Sequence, residues 1–185
     1  MRISKRLVID ASVASAAGGN GSVQKTGKKC RDLLQATYRA CHRLVMTSEI
    51  EKEWKAEASH YSTKWWRWMK NHTKELWLTS EQLAEVAVDL GRVPAAPAEA
   101  VAMTQDIHLV KAAIRTDRIL VSLDDEARRL FAAASSVVPV LQPVMWVNPK
   151  EEADAAAWVS KGACDEARRM LSNHLGGQGS AQGQG

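Results

Sequence analysis

The sequence predicts a single α/β domain, a three-layer α/β/α sandwich with a mainly parallel central sheet. Short runs of apolar and β-branched residues, such as RLVI, are too short for helices and predict buried strands. The segments between them carry apolar residues at every third or fourth position, which is the helical pattern. Strands that alternate with helices need crossover connections, so they pair in parallel with helices on both faces. A chain of 185 residues is long enough to bury one such core.

The N-terminal part predicts a strand, a loop, a helix and a second strand. Residues 6–9 predict the first strand, and Asp10 follows it directly. This short run, ended by an acid, indicates a strand rather than a signal peptide. The Gly- and Lys-rich stretch 18–29 predicts a flexible loop, residues 28–41 predict a helix and residues 43–47 predict the second strand.

A long helix is predicted to follow the second strand. Ser48 predicts its N-cap, because Glu51 stands three residues later as in a capping box, and the helix is expected to run to about residue 72. Its apolar residues recur every three or four positions. They predict one buried stripe, made of Ile50, Trp54, Ala58, Tyr61, Trp65 and Met69.

The second half of the chain continues the alternation. Ser80 predicts the cap of a helix that ends at Gly91, and Thr104 predicts the start of the next helix after a Pro- and Ala-rich linker. Pro139 and Pro143 remove backbone donors, which predicts that the last strand lies at the sheet edge. The elements after Thr104 are predicted as a strand at 119–123, a helix at 125–135 and this last strand within 138–147.

The domain organisation is predicted to be simple. Residues 1–150 form the main domain, residues 151–175 a helical extension of it, and residues 176–185 a disordered tail. No run approaches the roughly 18 to 20 apolar residues that a membrane helix needs, so no membrane partner is expected. The cysteines fit no zinc or disulfide framework, which indicates a reducing, cytoplasmic location. The net charge of +4 fits a polyanionic partner without requiring one.

Four acids are predicted to converge at the carboxyl edge of the sheet. Asp10 directly follows the first strand, and Asp124 directly follows the predicted strand 119–123. Glu53 lies in the first turns of the helix after the second strand, and Asp106 lies near the start of a later helix. Ligands of parallel sheets bind beyond the carboxyl ends of the strands. Each acid alone could equally be a helix cap, so the prediction depends on their joint arrangement.

Such a cluster points to a particular chemistry. Clustered carboxylates repel one another, and at neutral pH they persist where protons or cations are shared among them. Hard oxygen ligands suit Mg²⁺ or Mn²⁺. A cation held in this way activates water and neutralises charge on a leaving oxygen, which predicts hydrolysis of a phosphodiester.

Four segments resemble motifs of the PIN-domain nuclease family. They are RLVIDASV, VMTSEIEKEW, TQDIHLVKAA and ILVSLDDEARRLF, and WVNP at 146–149 extends a resemblance that otherwise covers residues 6 to about 131. The resemblance implies a PIN fold over residues 1–150 and an endoribonuclease that uses Mg²⁺ or Mn²⁺, with single-stranded or structured RNA as its substrate. The family includes bacterial toxins that an antitoxin protein neutralises, which makes an antitoxin a further expected partner.

The resemblance also implies roles for individual acids. Glu49 and Glu51 compete with Glu53, although the family places its acid before an aromatic or apolar residue, as Glu53 stands here. Either Asp125 or Glu126 is expected to complete the site, with Glu126 at the position where the family often has an acid. The implied catalytic residues are Asp10, Glu53, Asp106 and Asp124, and the implied metal ligands are Asp10, Asp106, Asp124 and Glu126.

Three further polar residues lie near these acids in the sequence. The hydroxyls of Ser12 and Ser122 either bond a carboxylate or a metal-bound water, or serve only as a helix cap and a strand end. His108 is predicted to be a surface or packing histidine rather than a functional one.

RNA contacts are predicted from cations and aromatic rings, which hold phosphates and stack on bases. In KWWRWMK, Trp65 and Trp68 are predicted to continue the buried stripe, which leaves Trp66 to face elsewhere. The predicted contacts are Lys25, Lys28, Lys29, Trp66 and Arg128.

Two alternatives remain open at the level of sequence. In the first alternative, the chain is a catalytically inactive PIN-like module that binds RNA or a protein partner, because a fold does not guarantee an activity. The apolar helix EQLAEVAVDL, residues 81–90, also offers a surface for a homodimer.

Overall fold

The computed structural model describes residues 4–18 and 24–176 of the chain. Its strands are β1 (Arg6–Ile9), β2 (Arg43–Met46), β3 (Glu75–Trp77), β4 (Ile119–Val121) and β5 (Met145–Val147). Within the described residues they form one all-parallel, five-stranded sheet in the order β3-β2-β1-β4-β5. Helices cover the sheet, which confirms the predicted three-layer α/β/α sandwich.

The helices connect the parallel strands. The α-helices are α1 (Ala11–Ala16), α2 (Gln24–Arg39), α3 (Ser48–Glu57), α4 (His60–Asn71), α5 (Ser80–Ala84), α6 (Pro97–Arg115), α7 (Asp125–Ala134) and α8 (Ala155–Ser160). Short 3-10 helices lie at Leu90–Arg92, Pro139–Leu141, Ala167–Arg169 and Leu171–Gly176.

The first strand, β1, lies at the centre of the sheet between β2 and β4. Leu7 pairs with Leu44 of β2 on one side and with Ile119 of β4 on the other. Leu7, Val8 and Ile9 are fully buried. Both faces of the sheet are covered, which explains why the strand is continuously apolar instead of alternating with polar residues.

The prediction of one long helix is wrong, because the chain forms two helices here, α3 and α4. Ser59 is extended, accepts a hydrogen bond from Ser62 N and donates to the carbonyl of Ala14, so it caps a second helix. The first cap is also shifted by one residue, since the side chain of Thr47, not Ser48, accepts from Ile50 N. The predicted stripe survives the break because each helix buries its own share of it.

Three other helix starts differ from the predictions. The predicted loop 18–29 is wrong for its second half, because α2 begins at Gln24 despite Gly27 and packs its apolar face on the core. The helix predicted from Thr104 begins at Pro97, whose fixed backbone angle suits the first helical position. The helix predicted from Ser80 to Gly91 is only one turn, capped by Thr79.

The strands also differ from the predictions in two places. The sequence pattern does not predict β3, a three-residue edge strand whose residues Glu75, Leu76 and Trp77 lack a long apolar run. The last strand is confirmed at the opposite edge, but it spans only Met145–Val147, and Pro139 starts a 3-10 helix instead.

The segment after β5 packs closely on the rest of the domain. Helix α8 contacts α2. Leu171 N donates to the carbonyl of Val144 at 2.9 Å, and Met170 forms an antiparallel bridge with Met145. The segment therefore covers the outer edge of β5. The predicted tail at 176–185 lies outside the described residues, apart from Gly176.

A buried arginine fixes this segment. The side chain of Arg169 is fully buried and lies 4.5 Å above the ring of Trp158. It forms ion pairs with the carboxylates of Glu152, Asp154 and Glu166. A buried cation needs such partners, because an unpaired charge in the interior is strongly unfavourable.

Two predictions made from composition concern membranes and thiols. Over the part of the chain that the structure describes, every helix is too short or too polar to cross a bilayer. Cys30 is buried, Cys41 and Cys164 are exposed, and all three are free thiols among the described residues.

A buried histidine makes the stability of this fold depend on pH. His42 is fully buried, accepts from Lys5 N at its Nδ1 and donates from Nε2 to the carbonyl of Val159. Burial lowers its pKa from the ordinary value of 6.5. The neutral ring therefore stabilises the native state above about pH 6.5, and this stabilisation is lost as the pH falls below that value.

We expect His42→Ala to lower the free energy of unfolding by about 2–4 kcal/mol at neutral pH, because it leaves a cavity and two unpaired backbone groups. The deficit should shrink at about pH 5.5, since only the wild type loses the histidine's contribution there. Urea unfolding at both pH values measures this, with exposed His60→Ala as the control. An unchanged deficit at the lower pH would contradict the prediction.

Candidate active site

Two of the predicted acids lie side by side at the carboxyl edge of the sheet. Asp10 follows β1 and Asp124 follows β4, and these strands are neighbours. Asp10 N also donates to the carbonyl of Val121 at 2.9 Å, which continues the pairing of the two strands into the loop. Asp124 caps α7 through its Oδ1, which accepts from Ala127 N at 2.8 Å. The side chain of Asp10 caps no helix, so the simple capping explanation fails for it.

Two serine hydroxyls hold the carboxylate of Asp10. Ser12 Oγ and Ser122 Oγ donate to the same oxygen, Oδ2, at 2.5 and 2.7 Å. The same hydroxyls accept from the backbone of the neighbouring loop, Ser12 from Leu123 N and Ser122 from Asp124 N. Of the two roles left open for these serines, bonding a carboxylate is the one that the structure shows. Both hydroxyls bind Oδ2 of Asp10, and no hydrogen bond to its Oδ1 is found among the described residues.

The third acid, Asp106, has a pKa that depends on its burial and on the charges of the other acids. It is half-buried on α6, and burial is the largest cause that raises its pKa, to about 6. The negative charges of Asp10 and Asp124 raise the pKa further, and that of Glu53 adds to them. The charges of three acids from other elements therefore act on Asp106. That the four acids form one active site stays a prediction.

The fourth acid, Glu53, faces His108, a histidine for which the sequence predicts no functional role. His108 Nε2 lies 3.1 Å from Glu53 Oε1, and His108 Nδ1 lies 2.9 Å from the carbonyl oxygen of Gln105. Charge on this histidine also opposes the rise in the pKa of Asp106. The sequence predicts a surface or packing histidine, and the structure adds this contact with Glu53. No local pattern reveals the contact, since Glu53 and His108 are 55 positions apart.

The geometry separates Glu53 from its two competitors. Glu51 forms an ion pair with Lys55 at 2.8 Å, on the side of α3 that faces away from His108. Glu49 is exposed and accepts from Ser48 Oγ. Glu53 is the member of this trio whose charge acts on Asp106.

A buried asparagine supports the loop that carries Asp124. Asn148 Nδ2 donates to the carbonyl of Leu123 at 3.3 Å and to Asp125 Oδ1 at 2.9 Å. Asn148 N in turn donates to Glu152, the carboxylate that also pairs with the buried Arg169. The segment after β5, for which the sequence suggested no role, is thus bonded to the acidic edge.

The two acids considered for completing the site point to arginines. Asp125 Oδ1 is 2.7 Å from Arg128, and Glu126 Oε1 is 2.6 Å from Arg129. Arg129 also reaches Glu99 on α6. A role of Glu126 as a metal ligand stays a prediction, and it requires that carboxylate to leave Arg129.

The carboxylate oxygens of these acids suit a cation that keeps several of its waters better than a cation enclosed entirely by protein ligands. Among the described residues, no three acid, histidine or cysteine side chains are drawn together to the spacing of a metal site. Mg²⁺ keeps several of its waters and binds through one or two carboxylates. The free Oδ1 of Asp10 and the neighbouring carboxylates of Asp106 and Asp124 supply hard oxygen atoms of that kind.

The predicted RNA contacts fall into two groups. The first turns of α2 carry Lys25, Lys28 and Lys29, and Lys29 Nζ donates to the carbonyl of Lys150 just after β5, which brings these turns to the acidic edge. Lys28 pairs with Asp32 at 2.6 Å. Arg128 lies between Asp125 and Glu152 with its side chain only 18% exposed, which favours a structural role over a phosphate contact.

The tryptophans of α4 are distributed differently from the prediction. Trp65 is buried, as predicted. The prediction that Trp68 is packed is wrong, because it is 52% exposed and leans on Tyr38. Trp66 is half-buried, and its Nε1 donates to Glu75.

Comparisons of the chain with models of protein families, with curated proteins and with solved structures found no match. The likeness to PIN-domain nucleases is therefore a prediction from the sequence motifs.

The cluster should reduce the stability of the protein. The folded state raises the pKa of Asp106 to about 6, so it holds this proton more tightly than the unfolded chain. Stability therefore falls as the pH rises through the interval up to about 6, and the full penalty remains at higher pH.

We expect Asp106→Asn to raise the free energy of unfolding by about 1–2 kcal/mol near pH 7.5 without divalent cations, after allowance for solvent screening. Urea unfolding in EDTA measures this. Asp32→Asn, which removes a surface acid on α2, is the matched control and should change stability little. A variant less stable than the wild type would show that the acids are not mutually repulsive.

Proposed function

We propose that the protein is a metal-dependent endoribonuclease that hydrolyses RNA at the acidic edge of its sheet. The observation that carries the proposal is the position of Asp10 and Asp124 at the ends of neighbouring strands, where Ser12 and Ser122 hold the Asp10 carboxylate. The charges of Asp10, Asp124 and Glu53 also raise the pKa of Asp106 on a further element. Like charges are unfavourable together, so their convergence favours a site that uses them. The order of these acids along the chain also matches the resemblance to PIN-domain nucleases.

In this proposal Asp10, Asp106 and Asp124 would hold Mg²⁺ or Mn²⁺. When bound, the cation activates water and neutralises charge on the leaving oxygen. Ser12 and Ser122 hold the Asp10 carboxylate in one orientation through its Oδ2. Asp124 has one oxygen bonded to the first turn of α7, which leaves its other oxygen for the site.

Glu53 is proposed to orient the attacking water and to accept its proton. His108 positions Glu53, because its ring is itself held by the carbonyl of Gln105. Both oxygens of the Glu53 carboxylate lie close to His108 Nε2, Oε1 at 3.1 Å and Oε2 at 3.2 Å, so the fixed ring limits how far the carboxylate can turn.

RNA is the proposed substrate because cations flank the acidic edge. The first turn of α2 carries its lysines beside the loop after β5. Such cations attract the phosphate backbone without reading its sequence. The proposed contacts are Lys25, Lys28, Lys29 and Trp66.

The decisive test is cleavage of a labelled, mixed-sequence single-stranded RNA with Mg²⁺ or Mn²⁺. We expect Asp10→Asn and Asp124→Asn to reduce the rate by at least about 100-fold, because each removes charge that the cation needs. Asp165→Asn, an exposed control beside Lys5 just before β1, should cleave like the wild type, and EDTA should stop cleavage by every active variant.

Two outcomes would count against the proposal. Cleavage by purified Asp10→Asn at the wild-type rate would remove the acids from the reaction. No cleavage by folded wild type with either metal, together with tight RNA binding, would favour the inactive binding module instead.

The role of Glu126 is tested in the same assay. We expect Glu126→Gln to lose less than about tenfold in rate, because the native carboxylate is bound to Arg129 and not to the site. A loss as large as that of Asp124→Asn would show that Glu126 leaves Arg129 and completes the metal site.

A further inference from the structure

A cavity between α3 and α4 lies outside the acidic site. It has a volume of about 280 Å³. This is close to the lower end of the roughly 300–1,000 Å³ range of small-molecule pockets. Its lining residues are Glu51, Lys55, Thr63, Trp66, Arg67 and Lys70. We call it the Trp66 pocket.

The aromatic wall of the pocket is held rigidly. Trp66 packs edge-on against the ring of Trp54, with centroids 5.7 Å apart. Its Nε1 donates to Glu75 on β3, so both the plane and the rotation of the indole are fixed. The ring is nevertheless only half-buried, and part of it faces the cavity.

The charge of the pocket is positive. Lys55 is balanced by Glu51 at 2.8 Å. Arg67 and Lys70 are exposed, and in the described part of the chain neither forms an ion pair. Two unbalanced cations beside one aromatic face are the combination that single-stranded RNA sites use, where a base stacks and the adjoining phosphates meet cations.

The pocket and the acids share one helix but occupy different sides of it. Glu53 on α3 faces His108 of α6, whereas Glu51 and Lys55 face the pocket and α4. The width of one helix, about 10 Å, therefore separates the two places. A strand whose phosphate lies at the acids reaches the pocket only with nucleotides beyond the cleaved bond.

We propose that the Trp66 pocket binds one nucleotide of a single-stranded RNA substrate, with the base against Trp66 and the phosphates at Arg67 and Lys70. The identification of the ligand as RNA rests on the proposed function. It gives the enzyme a contact away from the scissile bond, which anchors unpaired RNA independently of its sequence at that bond.

The test measures binding without cleavage. The full chain carrying Asp10→Asn is titrated into fluorescein-labelled single-stranded RNA in EDTA, and anisotropy gives the Kd at several salt concentrations. Lys70→Gln and Arg67→Gln are compared with Lys64→Gln, which removes the same charge from an exposed position of α4 that does not line the pocket.

We expect Lys70→Gln and Arg67→Gln each to raise the Kd about three- to tenfold and to reduce the salt slope by about 1. Trp66→Leu should raise the Kd about five- to 100-fold with a small change in slope, since it removes stacking. Lys64→Gln should change neither quantity by as much. The exposed charge variants keep the test informative if Trp66→Leu loses stability.

Binding of Lys70→Gln and Arg67→Gln with the Kd of Lys64→Gln would overturn the inference. That result, with normal cleavage by the wild type, would leave the proposed nuclease intact. Weakened binding by the pocket variants without any cleavage by the wild type would instead refute the nuclease and keep the pocket as an RNA site.

Discussion

The pairing of β1 with β4 is the interaction on which the acidic edge depends. It brings the ends of two strands that are 112 positions apart in sequence into one hydrogen-bonded corner, where Ser122 reaches Asp10. The corner is closed from both sides, because the serine that follows Asp10 also accepts from the backbone beyond β4. A shift of one residue in this pairing would turn every side chain of the strand to the opposite face and separate the hydroxyls from the carboxylate.

Local interactions offset part of the repulsion among the acids. Asp124 lies at the start of α7, where the helix dipole favours negative charge. Asp10 receives two hydroxyl donors, and Glu53 has a histidine beside it. Asp106 has the least support of the four, since burial and its neighbours both work against its charge. This ranking makes Asp106 the acid whose protonation state is most sensitive to a bound cation.

Sequence periodicity predicted those parts of the fold in which local pattern and burial agree. The central strands and α7 are such cases, because their apolar residues have no other way to leave water. Periodicity failed at Ser59, where a side-chain bond to Ala14, distant in sequence, breaks a continuous helical pattern. It also failed at β3, whose pairing with β2 forms a strand from residues without strand composition. The positions of Asp10 and Asp124 were predictable from the strand ends, whereas His108 and Asn148 depend on contacts that only the folded chain creates.

The segment after β5 links two properties that are usually separate. Leu171 and Met170 occupy the hydrogen-bonding edge of β5, an edge that would otherwise be open to strands of other molecules. The same segment holds Asn148 under the loop of Asp124 through Glu152 and Arg169. A chain shortened before this segment would lose its protection against self-association and the support of its acidic edge in a single step. The domain therefore needs this segment, and a minimal version of it has to extend at least to Leu171.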